Sequence, residues 1–223
     1  MIEFHEVSHY YEHGKIVISP LVDVNYSFKA GLIYVVCGAS GIGKTTLLRL
    51  FCRDEIPAEG HIFYDGEDIS TFKKQQLLAY RRRFGKIFHT PYLIDDRSVL
   101  ENIEIAGMLS GKSHGEIREN AKNLLDAFDI RKVASRYPRE LSSSQVQRVC
   151  IARALINKPE WVVADEPWNN LDKENCMLVN SVFTDMSLNG AGLLITTARE
   201  DIWKSLPSEP LRLIAGKIIS KQK

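Results

Sequence analysis

The sequence lacks three features that would place it within a membrane or outside the cell. Its longest apolar runs, such as GLIYVVCGA at residues 31–39, have the length of a β-strand and are far shorter than a membrane span. No N-terminal stretch has the basic-then-apolar order of a secretory signal. The cysteines Cys37, Cys52, Cys150 and Cys176 form no CxxC pair, which predicts reduced, buried thiols. We therefore expect a cytoplasmic chain that contacts a membrane through a partner.

The sequence also lacks an excess of charge of either sign. It has 29 Lys and Arg against 28 Asp and Glu, a net charge of +1, which is no electrostatic reason to expect nucleic acid as a partner. We interpret the consecutive arginines at 81–83 as a solvated face. No internal repeat or low-complexity linker is evident, and 223 residues that are 44% hydrophobic suffice for one domain, with or without an insert.

Hydrophobic periodicity predicts an α/β protein with a helical insert. Helical spacing dominates from about residue 91 to 159, between segments with strand patterns, and a short α/β tail follows. Continuous apolar runs at 161–165 and 192–197 are typical of central parallel strands that are buried on both faces. The other predicted strands are residues 1–11, 21–28, 32–38, 60–66 and 86–89, and the predicted helices are 44–53, 98–109, 114–130, 145–157 and 171–186.

The segment GASGIGKTT, residues 38–46, fits the phosphate-loop pattern G-x-x-x-x-G-K-[ST] between a predicted strand and a predicted helix. Glycines allow backbone N–H groups to surround an anion, and the helix N-terminus adds positive potential. Lys44 is expected to reach the β- and γ-phosphates and Thr45 to bind Mg²⁺. The alternative is a glycine turn with an accidental lysine. The candidate residues are Gly38, Ser40, Gly41, Gly43, Lys44, Thr45 and Thr46.

A second acidic motif, WVVADEP, follows the predicted strand at residues 161–165. Asp165 is expected to hold Mg²⁺ through water, and Glu166 to polarise the attacking water as the catalytic residue. An acidic pair after a strand can also be a helix cap or a surface pair. Together with the phosphate loop, the motif favours a nucleotide-hydrolysing site that uses ATP and Mg²⁺.

In this order the motifs resemble the nucleotide-binding domain of ABC ATPases along nearly the whole chain. LSSSQ at 141–145 occupies the place of the family's LSGGQ signature, and Tyr11 the place of its adenine-stacking aromatic residue. The resemblance implies a P-loop fold with a mixed sheet, an N-terminal antiparallel β-subdomain and a helical subdomain. The residues it assigns are Ser142, Ser143, Ser144 and Gln145 in the signature, and Asn170, Leu171 and Asp172 in the D-loop.

The resemblance also implies a division into subdomains and an assembly with other chains. Residues 1–223 would form one ABC domain, with the core at 1–88 and 160–223 and the helical subdomain at 89–159. Two copies, or this chain and a different ATPase, would sandwich ATP between them at the inner face of the cell membrane. The motifs look most like those of FtsE-type cell-division ATPases, which implies an FtsX-like membrane subunit; lipoprotein-export and macrolide-export ATPases are similar. A partner helix could dock around Tyr92, Leu93 and Ile94, a cluster that could equally pack under the insert.

The sequence departs from the family pattern at three places. His89 stands where the family has a glutamine, and a histidine nitrogen is a poorer partner for Mg²⁺ than an amide oxygen. Ala198 stands in place of the family's switch histidine, so a side-chain donor is lost unless Thr197 or Arg199 replaces it. Ser143 and Ser144 replace two glycines, which adds bulk but keeps the N–H donors. These departures predict a slow ATPase, or a nucleotide-gated dimerisation module with negligible hydrolysis.

Overall fold

A computed structural model of the chain describes residues 1–14, 16–108, 110–199 and 203–220, and only the backbone of His13. Its strands form two sheets, one of four antiparallel strands in the order β2-β1-β4-β5 and one of six strands in the order β10-β9-β3-β8-β7-β6. The strands are β1 (Ile2–His13), β2 (Ile16–Phe28), β3 (Ile33–Cys37), β4 (Glu59–Tyr64), β5 (Glu67–Asp68), β6 (Phe84–Ile87), β7 (Trp161–Asp165), β8 (Gly192–Thr197), β9 (Ser208–Ile214) and β10 (Lys217–Ser220).

The six-stranded sheet is mixed, because β6, β7, β8, β3 and β9 run parallel while β9 and β10 form an antiparallel hairpin. The predicted class, an α/β core with an N-terminal antiparallel sheet, is therefore confirmed. After β8 the described residues form one 3-10 turn and the β9–β10 hairpin, so the described part of the tail contains no α-helix. None of the described helices is long and apolar enough to cross a bilayer.

Within the described residues, three α-helices lie between β6 and β7, as the periodicity predicted. The α-helices are α1 (Lys44–Phe51), α2 (Lys74–Arg81), α3 (Val99–Met108), α4 (His114–Ala127), α5 (Ser143–Leu155) and α6 (Lys173–Leu188). Helix α2 was not anticipated, because Tyr80 is its single buried residue and it shows no apolar period. The division of the chain into a core and a helical subdomain at residues 89 and 160 stays a prediction.

Strands β3, β7 and β8 bring the predicted site residues to one edge of the sheet. All three are buried along their whole length, which explains why their sequences are continuous apolar runs. In the parallel register Asp165 pairs with Thr196, and Cys37 pairs with Thr197. The phosphate loop, Asp165 and the residues after β8 therefore emerge side by side from the carboxyl ends of adjacent strands.

Buried packing agrees with one further expectation and refines another. All four cysteines are buried. The arginines at 81–83 form the expected solvated face only in part. Arg82 and Arg83 are exposed, although Arg83 pairs with Glu160 at 2.6 Å, whereas the half-buried Arg81 donates to the Arg53 carbonyl at 2.7 Å.

Candidate nucleotide site

The phosphate loop leaves β3 and enters α1 through Gly43. This glycine caps the helix with φ 113°, a conformation that residues with a Cβ rarely adopt. A Cβ at this position would lie 2.6 Å from the Pro20 carbonyl oxygen. Gly43 therefore allows β2 to approach the loop closely while the N-terminus of α1 remains open toward the site.

The Lys44 side chain points back toward the start of the phosphate loop. Its side chain is 7% exposed, and Nζ donates to the carbonyl oxygens of Gly38 at 2.8 Å and Ala39 at 3.1 Å. The same ammonium lies 3.8 Å from Oε1 of Glu166. A buried cation that is balanced by loop carbonyls and one carboxylate is suited to exchange those partners for the oxygens of an anionic ligand.

Asp165 is held by hydroxyl groups at both carboxylate oxygens. Thr45 Oγ1 donates to Oδ2 and Thr196 Oγ1 donates to Oδ1, each at 2.7 Å. The two residues predicted to bind Mg²⁺, Thr45 and Asp165, are therefore in direct contact although they are 120 positions apart. Hydroxyl and carboxylate oxygens are the ligands that Mg²⁺ prefers, so this pair fits the ion.

A site of this kind needs further oxygen ligands from its substrate. Within the described ranges, no group of three or more His, Cys, Asp or Glu side chains is arranged to hold a metal ion. Mg²⁺ in nucleotide sites is commonly bound by one or two protein oxygens together with waters and phosphates. The arrangement around Thr45 and Asp165 is therefore suited to a metal that arrives with a nucleotide.

Glu166, the predicted catalytic residue, is clamped by the end of β8. Thr197 Oγ1 donates to Oε2 at 2.8 Å, and the backbone N–H of Ala198 donates to Oε1 at 2.6 Å. Glu166 is 9% exposed and adopts φ 51°, a left-handed conformation that is uncommon for a residue with a side chain. Its backbone N–H donates to the Thr196 carbonyl at 2.9 Å. The strained backbone and the two donors together fix the direction of the carboxylate.

The residue after β8 therefore contributes through its backbone. Ala198 has no polar side chain, but its N–H reaches Glu166. Of the two residues considered as substitutes for a histidine, Thr197 contacts Glu166 directly, and the Arg199 N–H donates to Thr197 Oγ1 at 3.0 Å. Sequence reasoning did not assign Thr196 a role, because its contact with Asp165 depends on the register between β7 and β8.

A cavity of about 320 Å³ opens over these groups. It gathers ten of the predicted site residues and adds Ile18 and Pro20, which sequence reasoning missed. Gly38 contributes the carbonyl that binds Lys44. The predicted residues that line the cavity are Tyr11, Ser40, Gly41, Gly43, Lys44, Thr45, Thr46, His89, Asp165 and Glu166.

His89 lies between this cavity and a neighbouring one of about 480 Å³. It is exposed and lines both, together with Thr45 and Asp165. The predicted docking cluster beyond it is mixed: Leu93 is buried, while Tyr92 is 72% exposed. Ile94 is half-buried, and its backbone N–H donates to Asn102 Oδ1 at 2.8 Å.

The serine run begins α5 away from the cavity of its own chain. Ser142 caps the helix: its Oγ accepts from the Gln145 N–H at 3.2 Å, and Gln145 Oε1 accepts from the Ser142 N–H at 2.9 Å. Ser142 and Ser143 are exposed. The Ser144 hydroxyl is buried with no hydrogen-bond partner among the described residues. The structure thus supports a capped helix N-terminus that faces outward.

The predicted D-loop lies between β7 and α6. Asn170 is exposed with φ 62°, and Leu171 is buried. Asp172 caps α6, accepting from the Asn175 N–H at 2.8 Å, and this hydrogen bond lowers the pKa of its carboxyl. Asp172 therefore serves as the N-cap of α6.

Comparison with known proteins decides the family. The family model described as ABC transporter matches residues 21–169, which include the phosphate loop, the serine run and the acidic motif. The chain belongs to the ABC transporter ATP-binding family. An uncharacterized ABC transporter ATP-binding protein of Methanocaldococcus jannaschii is 33% identical over 220 residues, 98% of each chain.

Relatives with different names match this ABC cassette almost equally well. The cell division ATP-binding protein FtsE of Escherichia coli is 36% identical over 197 residues, 88% of this chain and 87% of FtsE. The methionine import ATP-binding protein MetN 1 of Yersinia pestis is 33% identical over 222 residues, 99% of this chain and 65% of MetN 1. Sequence identity therefore establishes the family but does not select one subfamily.

Solved structures support the same fold over the full length of the cassette. The dimeric structure of the ABC transporter cassette MJ0796 superposes with a TM-score of 0.90 at 27% identity and covers 100% of both chains. A second dimeric structure of MJ0796, in a post-hydrolysis state bound to ADP and Pi, gives a TM-score of 0.87 at 26% identity. The predicted ABC ATPase fold is thus confirmed.

Proposed function

We propose that this ABC cassette binds and hydrolyses Mg-ATP as a dimer, and that the cycle drives an integral membrane partner. The observation that carries the proposal is the convergence of Lys44, Thr45, Asp165 and Glu166 at one sheet edge, with Thr45 on Asp165 at 2.7 Å and Lys44 at 3.8 Å from Glu166. A phosphate-binding cation, a pair of oxygen ligands and a carboxylate for water are the parts that phosphoryl transfer requires.

In this proposal each group has one task. Lys44 leaves the loop carbonyls and binds the β- and γ-phosphates, while the N–H groups of the loop surround them. Thr45 and Asp165 hold Mg²⁺, which when bound neutralises charge on the phosphates. Glu166 orients the attacking water and accepts its proton, and the Thr197 hydroxyl and Ala198 N–H keep its carboxylate aimed at the cavity.

The rate is expected to be low. The clamp on Glu166 orients the base, but the methyl side chain of Ala198 cannot donate to the γ-phosphate. Removing one such donor typically costs about 2.7–4 kcal/mol of transition-state stabilisation, on the order of 100- to 1,000-fold in rate. We propose that ATP binding is retained and that hydrolysis is slow.

For the partner, we propose an FtsX-like membrane subunit, with the ATPase dimer on its cytoplasmic side. The similarity to FtsE supports this assignment, and the exposed Tyr92 beside His89 offers an apolar contact. The dimeric structures of MJ0796 support the dimer, in which Ser142 to Gln145 of one copy would face the γ-phosphate of the ATP on the other.

A second function is a nucleotide-gated dimerisation module with negligible hydrolysis. It is favoured by the position of His89, the serine run and Ala198, which in the proposed dimer would all surround the γ-phosphate. A degenerate subunit of a heterodimer or of a lipoprotein- or macrolide-type exporter would show the same departures. The mass of the native complex distinguishes one ATPase subunit type from two.

Phosphate release by the purified chain, with and without its co-purified membrane subunit, tests hydrolysis. Lys44→Ala is the negative control, and Lys122→Ala, on the exposed surface of α4, is the matched control for losing a lysine. We expect release by the wild-type and Lys122→Ala chains and none by Lys44→Ala. Release no greater than that of Lys44→Ala would reject the ATPase and leave the dimerisation module.

A further inference from the structure

The carboxylate of Glu55 contacts three side chains beside the nucleotide cavity. Its Oε2 accepts from the Tyr11 hydroxyl at 2.6 Å and lies 3.3 Å from His9 Nε2, and its Oε1 accepts from Arg49 Nη1 at 2.9 Å. Glu55 lies just beyond α1, whereas Tyr11 is 44 positions away on β1. The side chain of Glu55 therefore links the phosphate-loop helix to the N-terminal sheet.

These contacts hold the Tyr11 ring from two directions. The His9 ring meets it edge-on, with 4.9 Å between centroids and an interplanar angle of 82°. At its other end the Tyr11 oxygen lies 3.2 Å from Thr46 Oγ1 as well as 2.6 Å from Glu55. Burial and the Glu55 carboxylate raise the pKa of Tyr11, so its hydroxyl remains a donor.

The position of Glu55 is itself fixed by α1. Arg49 projects from that helix, and the Glu55 N–H donates to the Arg49 carbonyl at 3.3 Å. The Glu55 side chain is about a quarter exposed, so its ion pair with Arg49 adds little to stability. Its hydrogen bond to Tyr11, in contrast, restricts a ring that lines the cavity. A ring that is already ordered before the ligand binds loses less conformational entropy on binding.

We propose that Glu55 is a positioning residue for the base of the nucleotide: it holds Tyr11 in the orientation that stacks on adenine and does not touch the phosphates. The proposal rests on the proposed function, because it takes ATP as the ligand of this cavity. Glu55 acts through Tyr11, so its effect belongs to base binding and not to phosphate binding.

The test compares a ligand with a base and a ligand without one. Isothermal titration calorimetry measures the dissociation constants of MgATP and magnesium tripolyphosphate for the full chain. We expect Tyr11→Phe and Glu55→Ala each to weaken MgATP binding about three- to tenfold, the loss of one hydrogen bond to a charged group. Tripolyphosphate binding should change by less than about twofold. The double variant should lose less than the sum of the two single losses, because both changes remove the hydrogen bond between Tyr11 and Glu55.

Matched controls lie close to both residues in the sequence. Tyr10→Phe removes a hydroxyl from the exposed neighbour of Tyr11, and Glu59→Ala removes an exposed carboxylate on β4. Both should bind the two ligands like the wild-type chain. Tyr11→Ala sets the largest loss that removal of the stacked ring can cause, on the order of 5- to 150-fold in the dissociation constant of MgATP.

Two outcomes would overturn the proposal. Equal losses for MgATP and tripolyphosphate in Glu55→Ala would show that Glu55 merely supports α1. Unchanged MgATP binding in Tyr11→Phe and Glu55→Ala would show that the contact does not position the ring. Failure of the proposed function has a different signature, because Lys44→Ala would then leave MgATP binding intact.

Discussion

The phosphate loop and the serine run, which we propose face each other across ATP in a dimer, differ in how their residues are bonded. The phosphate-loop half, which comprises the loop together with Asp165 and Glu166, is buried and internally hydrogen-bonded: Lys44 and Asp165 are 7% exposed, and Glu166 is 9% exposed. The serine-run half is open, with Ser142 and Ser143 exposed at the start of α5. Residues proposed to function within their own chain are held by several hydrogen bonds, whereas Ser142 and Gln145, which are proposed to meet a second copy, are bonded to each other as a helix cap.

The difference follows from the cost of burying charge. Lys44, Asp165 and Glu166 can remain buried because each charge has a nearby partner: loop carbonyls for Lys44, two threonine hydroxyls for Asp165, and one hydroxyl with one N–H for Glu166. The serines carry no charge and need only the N-terminus of a helix. We therefore expect substitutions in the phosphate-loop half to destabilise the fold more than substitutions in the serine-run half.

Glu166→Gln should have the largest effect on turnover, because it leaves the phosphate-loop half folded but removes the proposed base. We expect turnover to fall at least about 100-fold while MgATP affinity changes by less than about threefold. The measurement is single-turnover hydrolysis beside calorimetric binding. Glu174→Gln, an exposed glutamate in the first turn of α6, is the matched control and should behave like the wild-type chain.

A parallel loss of affinity in Glu166→Gln would mean that the carboxylate is structural. It would then serve mainly to balance the charge of the Lys44 ammonium 3.8 Å away. The phosphate-loop half would in that case differ from the serine-run half in burial but not in catalysis.

Ala198→His tests whether a missing donor limits the rate. The added imidazole leaves the N–H that clamps Glu166 in place, so we expect turnover to rise, on the order of 100-fold. Steady-state phosphate release measures it, and Ala198→Leu controls for size alone. An unchanged rate would place the limiting step elsewhere, such as dimer assembly.

Thr197→Val tests the clamp itself. It removes the hydroxyl 2.8 Å from Glu166 Oε2 with little change in volume, and we expect turnover to fall about tenfold with MgATP affinity nearly unchanged. Loss of activity through unfolding is separated by the thermal midpoint of the variant with and without MgATP. A variant that binds MgATP and hydrolyses it at the wild-type rate would show that the Ala198 N–H suffices.

Replacement of both Ser143 and Ser144 by glycine should have the smallest effect. Less bulk at the start of α5 favours a closer approach of a second copy, so we expect ATP-dependent dimers to tighten by about two- to fivefold. Light scattering in a Glu166→Gln background measures this, with Ser135→Gly as the control. Weaker dimers would mean that the serine hydroxyls contribute contacts of their own.

The sequence predicted the elements that follow strong local patterns. The phosphate loop, the buried strands β3, β7 and β8, and the helices α3 to α6 all have a clear period or motif. Strand β2 begins at Ile16, five residues before the predicted start at Leu21. The prediction missed this part because Ile16, Val17 and Ile18, which are exposed, show no alternation of apolar and polar residues. Helix α2 was missed because it likewise shows no apolar period.

The parts of the site that could not be predicted depend on tertiary register. The contacts of Thr196 with Asp165 and of Thr197 with Glu166 span 31 positions each and follow from the pairing of β7 with β8. The left-handed backbone at Glu166 is likewise invisible in a single sequence. Motifs locate the functional side chains, whereas the groups that aim them are found in the fold.

We propose that the phosphate-loop half is a complete ATP-binding site despite the changes in the serine-run half. Calorimetric titration of MgATP into the wild-type chain and into Lys44→Ala, side by side in one experiment, tests this proposal. We expect saturable binding to the wild-type chain that weakens at least about 100-fold in Lys44→Ala. Equal binding by both chains, or none by the wild-type chain, would contradict it.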